Sequence, residues 1–189
     1  LLPSPSIECI PYIIVSAIIH QGYHWYLLSS YQIGDLTTVY PIARGSGPLV
    51  ATLISILVLG LVLDNLVILS ICLICLGIMF LGFYDQKGKK KSKIIQYSLF
   101  TGFFIGLYSL VDGYGARVSL SAFTYISWSF IISAILFPLV LTIKKHDNVF
   151  EKVRNKGKQI FWIGGTLSFA IYSIVVWAFT KAPIPMVGA

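Results

Sequence analysis

The chain has 189 residues, 57% of them hydrophobic and 11% charged, with a mean hydropathy of +0.84. A water-soluble domain of this length carries about a quarter charged residues, spread so that every element has a wet face, so this composition excludes one. The formal charge of +7 says nothing about nucleic acid, because five of the fourteen Lys and Arg lie in Lys87 to Lys93 and six in Lys144 to Lys158. Short basic blocks beside long apolar runs mark positive-inside membrane topology.

A helix needs about twenty apolar residues to cross a hydrocarbon core of about 30 Å at 1.5 Å per residue. Six segments reach that length. Tyr12 to Ile33 holds no formal charge but two His; Leu36 to Leu63 is longer than one crossing and carries Arg44. Asn65 to Tyr84 contains Cys72 and Cys75, whose C-x-x-C spacing sits in an uninterrupted apolar stretch and reads as packing, not as a metal site. Ile94 to Val111 follows the Lys-rich loop, then come Leu120 to Ile143, the basic stretch Lys144 to Lys158, and Gln159 to Thr180. The expected fold is all-α, a polytopic membrane helical bundle of six transmembrane helices. Two helices separate the basic loops 87–93 and 144–158, so both fall on one face. The positive-inside rule makes that face cytosolic and the chain a multi-pass protein of the cytoplasmic (inner) membrane, with Asp64, Arg117 and Lys181 outside.

Laid against itself, Leu27–Leu36 falls on Val175–Ile184 with matches in character: Leu with Val, Ser with Ala, Tyr with Phe. The shift carries the first segment onto the sixth. Five crossings is an odd number, so the two units face opposite ways, as in an inverted-topology repeat. The stretch Tyr31-Gln32-Ile33-Gly34-Asp35-Leu36-Thr37-Thr38-Val39-Tyr40-Pro41-Ile42-Ala43-Arg44-Gly45 resembles the third-to-fourth helix segment of EamA-type proteins of the drug/metabolite transporter superfamily. Tyr108 to Gly115 and Trp177 to Pro183 are similar to stretches of that family's second half. The resemblance implies a ten-helix plan of two inverted fives, of which this chain would supply helices three to eight. Residues 1–86 would then belong to the first repeat, 87–93 to the inter-repeat loop and 94–189 to the second repeat.

Polar groups inside the spans carry the functional signal. Arg44 lies nine residues past Asp35, about 13 Å along a helix, and a charge at such depth normally faces a watery cavity or a partner. Pro41, Gly45, Gly47 and Pro48 around it predict a kinked or interrupted helix beside the guanidinium, a natural seat for a carboxylate or phosphate. The alternatives are an ion pair with Asp35 or Asp112, or a snorkelling Arg. Asp112 follows Tyr108 by one turn and reads either as a cavity carboxylate or as a helix cap beside Gly113 and Gly115. His20 and His24 stack on one helix face and read as neutral imidazoles lining a cavity in preference to metal ligands. Trp177 could pack beside a substrate or merely face lipid. Gly102-x-x-x-Gly106 is a small-residue helix contact.

Enzyme chemistry finds no foothold in the sequence: it has no Gly-x-Ser-x-Gly, no His-Glu-x-x-His and no Asp-x-x-Asp. The expected function is a carrier of a small organic solute or metabolite, working by alternating access without a cofactor or bound metal. Arg44 and Tyr40 would hold the anionic or polar end of the substrate, His24 and Tyr108 would line the cavity, Trp177 would pack beside it, and Asp112 or a His could carry a coupling proton. A lipid flippase on the same plan, a noncatalytic membrane subunit and a degenerate fragment are the competing readings. The expected partners are the bilayer and a small-molecule substrate, and a homodimer is compatible with the plan.

Overall fold

The computed structural model describes residues 3–84, 91–143 and 157–189. Among them the architecture is all-helical, with no strand. A short 3-10 turn at Ile7–Cys9 leads into α1 (Ile10–Tyr31), followed by α2 (Leu36–Leu57), α3 (Asn65–Tyr84), α4 (Lys91–Val118), α5 (Ala122–Ile143), α6 (Lys158–Phe179) and the one-turn α7 (Ile184–Gly188). Four helices are long and apolar enough to cross a membrane: α3, α4, α5 over Ala122–Leu141, and α6. Both α1 and α2 have 22 residues but are more polar. The residues responsible, His20, His24 and Arg44, turn inward (below). The basic stretches at 87–90 and 144–156 lie outside the described residues, so the two-loop topology is set out under the proposed function.

One helix interior and two segment ends differ from the sequence expectation. The helix α2 is continuous through Pro41 and Pro48, where an interruption was expected. Proline removes one backbone donor without stopping a helix whose neighbours hold it on both sides. It then ends at Leu57 and not at Leu63, because Gly60 takes a positive φ of 64°. That left-handed residue lets Leu61 N–H close on the Ser55 carbonyl at 2.8 Å, a wrap-back that terminates the helix. Conversely α4 runs on past Val111 to Val118, because Asp112 is held in the interior and caps nothing.

Small residues set the packing. A Cβ at Gly102 would collide with Ser46 Oγ and come within 2.8 Å of the Ala43 carbonyl; one at Gly106 would meet the Gly47 carbonyl at 2.8 Å. The Gly102-x-x-x-Gly106 face of α4 therefore lies directly on the backbone of α2, as its spacing suggested. On the opposite side, a Cβ at Gly45 would come within 2.7 Å of the Cys75 carbonyl and one at Gly82 within 2.9 Å of the Thr38 carbonyl, so α3 lies close against α2. The residue Cys75 is accordingly buried and unbonded to another cysteine. On α1, Gly22 abuts the Phe104 ring, and Tyr26 stacks on Phe100 with centroids 5.0 Å apart. The hydroxyls of Ser30, Ser46, Thr52, Ser98 and Thr101 each donate to the carbonyl four residues back, so these helices satisfy their own polar side chains.

The largest apolar cluster gathers Ile13, Leu110, Tyr125, Ile126, Val176, Phe179 and Ile184 where the start of α1, the end of α4, the start of α5, the end of α6 and α7 converge. One end of the bundle is thereby sealed. Towards the other end, among the described residues, the N-terminal half of α6 is loosely covered: a Cβ added at Gly164 or Gly165 would have no neighbour within 4 Å.

Candidate functional site: an aromatic cavity with one guanidinium

A cavity of ≈ 1030 Å³ lies between the helices. Each wall is one helix face, as the 3.6-residue period requires. On α1 the lining positions are His20, Tyr23, His24, Leu27 and Tyr31; on α2 they are Tyr40, Ala43, Arg44, Gly47, Pro48 and Ala51. The helix α4 adds Ile105, Tyr108 and Ser109, α5 the face from Ile126 through Phe130 and Phe137, and α6 the face from Phe161 through Tyr172 to Phe179. No residue of α3 takes part; it backs α2 from behind.

The wall formed by α1 and α4 is an aromatic cluster. His20 stacks on Tyr108 at 4.2 Å between centroids, and Tyr23 and Tyr172 meet Tyr108 edge-on at 5.4 and 5.9 Å. The His20 Nδ1 must carry its proton, since it donates to the Ser16 carbonyl at 2.9 Å. His24 lies 4.7 Å from the Phe137 ring. The Ser129 hydroxyl is buried beside Tyr125, within side-chain hydrogen-bond reach of it.

Arg44 is exposed to the cavity, and no hydrogen bond or ion pair holds it among the described residues. Neither Asp35 nor Asp112 pairs with it, so the two ion-pair alternatives raised by the sequence are not formed. It lies within electrostatic reach of Tyr23 and Tyr108, and Tyr40 stands one turn away on the same face.

Asp112 is fully buried behind this wall. Tyr125 Oη donates to its Oδ1 at 2.9 Å and Tyr172 Oη to its Oδ2 at 2.6 Å. It is neither a cap nor a lining group; it touches the cavity only through Tyr172, which is both its donor and part of the lining. Arg44, Tyr40, His24 and Tyr108 are therefore brought together at one cavity, with Asp112 one side chain removed. Trp177 is not with them. It is 56% exposed on the outer face of α6, beside Ser173 and Phe123. Val175 and Phe179 face inward, and a residue two positions from either points about 200° away.

Tyr23, Tyr31, Tyr172, Ser129 and Phe137 line the cavity without having been singled out as substrate contacts. A signal existed for α1, where His20, Tyr23, His24, Leu27 and Tyr31 follow one helical face; for α5 and α6 the hydrophobic pattern runs all round and selects no face. Among the described residues no group of three His, Cys, Asp or Glu gathers where it could hold a metal.

No family model matches the chain, and no curated protein or solved structure matches it either. What the fold and the cavity define is a class: an all-helical chain with candidate membrane-spanning helices around an internal aromatic chamber.

Proposed function

We propose that the chain is the substrate-holding part of a multi-pass membrane carrier that moves a small organic solute across the cytoplasmic membrane by alternating access. The observation that carries this reading is the chamber itself: ≈ 1030 Å³ between helices of spanning length, with an uncommitted Arg44 on its wall. A guanidinium inside a span costs at least about 2.5 kcal/mol on insertion scales, and a chain keeps such a group where water or a ligand meets it. A structural protein has no use for a chamber of that size, which forfeits packing against every wall.

The six-span plan, with both basic loops cytosolic, supports the same reading. On that plan the apolar cluster around Phe179 and Ile184 seals the outer end, and the loosely covered half of α6 lies at the cytosolic end, the arrangement of an inward-open carrier. An inverted EamA-like repeat, with residues 1–86 and 94–189 in opposite units, accounts for the pairing of Leu27–Leu36 with Val175–Ile184. Arg44, Tyr40, His24 and Tyr108 are the proposed substrate contacts.

The test is efflux from liposomes. The full chain is reconstituted, loaded with an equimolar mixture of organic anions, amines and neutral solutes, and the lumen is assayed by mass spectrometry. At least one solute is expected to leave faster than from protein-free liposomes, with saturation, and Arg44→Ala is expected to abolish the difference. Identical leakage from both preparations for every solute sinks the carrier reading.

A further inference from the structure

We infer that the chamber selects an organic monoanion: one carboxylate at Arg44, joined to a flat apolar body that lies among the aromatic rings. The inference deepens the carrier reading and rests on it for the meaning of the chamber.

The first support is a charge census. Among the described residues Arg44 is the one Lys, Arg, Asp or Glu that lines the cavity. It has no counter-ion among the described residues, so the chamber wall that they form carries one unpaired positive charge. Such a charge repels a cation and attracts an anion, and complementarity of this kind sets the sign of the preferred ligand. The guanidinium also offers two parallel N–H groups, the geometry that a carboxylate fills bidentately.

The second support is that the described residues hold no free carboxylate for a cation. Among them the one acidic side chain joined to the chamber wall, Asp112, is completely buried, and each of its oxygens already accepts a tyrosine hydroxyl. An amine in the chamber would have to displace Tyr172 from the aromatic wall to reach it. A dianion is disfavoured by the same census, since its second charge would be desolvated without a partner.

The third support concerns the body of the ligand. The stacked pair His20 and Tyr108 offers an aromatic face, and Phe130 and Phe137 stand on the α5 wall. Shape selects a planar apolar group there, and charge selects its carboxylate.

The experiment uses four probes of one skeleton with the full chain in lipid nanodiscs: 3-phenylpropanoate, 3-phenylpropanamide, 3-phenylpropylamine and phenylsuccinate. Equilibrium dialysis gives the dissociation constant of each. The monoanion is expected to bind at least tenfold more tightly than the amide, the amine or the dianion. Arg44→Gln is expected to bring monoanion and amide within about twofold of each other, and Arg44→Lys to restore part of the preference. Equal binding of all four, preference for the amine, or no binding of any overturns the proposal. Should Arg44→Gln fail to fold, the ranking of the four probes on the unaltered chain still decides. Efflux assays with the same probes separate the two levels. Monoanion binding without flux overturns the carrier reading and leaves the anion site standing, whereas flux of the amine that Arg44→Gln does not alter does the reverse.

Discussion

Asp112 shows how a single buried carboxylate is made tolerable. It has no solvent, and two tyrosine hydroxyls take the place of the water it has lost. A hydrogen bond to a charged or strongly polar acceptor contributes about 1.5–3 kcal/mol, though measured values between membrane helices average lower, about 0.6 kcal/mol. Tyr125→Phe and Tyr172→Phe are each expected to lower stability by about 0.5–3 kcal/mol, read as a shift in the unfolding midpoint on titration with a denaturing detergent. The two differ in a second readout. Tyr172 lines the chamber and Tyr125 does not, so only Tyr172→Phe is expected to change probe binding as well. An equal effect of both on binding would mean that Asp112 and not Tyr172 is what the ligand senses. Arg117 has a different kind of role: its Nε and Nη2 donate to the Phe179 carbonyl at 3.0 and 2.8 Å, and Nη2 also to Ala182 at 2.9 Å. The Phe179 carbonyl is one that the end of α6 leaves without a helical donor, Ala182 lies in the turn that follows, and a cation there also answers the negative end of the helix dipole. Replacing it by Lys keeps the charge but loses the fork. Arg117→Lys is expected to speed amide exchange across residues 180–183 while leaving α4 unchanged.

Helix contacts divide into tight and loose. The contact of α2 with α4 is backbone against backbone at Gly102 and Gly106, so any side chain there must push the helices apart. Overpacking of this kind costs about 1–3 kcal/mol, and more where backbone and not a flexible side chain is struck. Gly106→Val is expected to lower the unfolding midpoint, whereas Gly164→Val, in open space on α6, is expected to leave it unchanged apart from a small propensity difference. A comparable loss at both would refute the assignment of α2 and α4 as the rigid pair. The same contrast bears on motion. The α2 and α4 pair carries Arg44 and Tyr108 on a rigid base, while α6 is tied down at its Arg117 end and by Tyr172, and at the other end has few neighbours among the described residues. In alternating access the element with fewer contacts is the one that moves at low cost.

For the molecule as a whole, orientation is the property with the widest consequences. If the basic loops are cytosolic, cysteines introduced as Lys90→Cys and Phe150→Cys, in a chain whose Cys9, Cys72 and Cys75 are replaced, escape an impermeant maleimide added outside intact cells and react once the cells are opened. Labelling of both from outside inverts the topology, and with it the assignment of the sealed end to the outer face.

Much of this architecture was legible in the chain alone. Helices stand close to the six apolar segments, and four of them are long and apolar enough to cross a membrane, since length and hydropathy are summed over about twenty neighbouring residues and do not depend on what packs against them. The Gly102-x-x-x-Gly106 contact was legible for a related reason: small residues four apart put a flat strip on any helix that forms. Arg44 was marked by the cost of a charge in an apolar segment, whatever its surroundings. The rest required packing. Continuity of α2 through Pro41 and Pro48 follows from helices holding it on both sides, which no local pattern encodes. Asp112 read as a helix end because Gly113 and Gly115 follow it; only Tyr125 and Tyr172, distant in sequence, make it an interior group. Trp177 pointed away from the chamber and Tyr23 into it by rotation of whole helices about their axes. In apolar helices such as α5 and α6 nearly every face is equally greasy, so composition leaves that rotation free and the contacts between helices choose it.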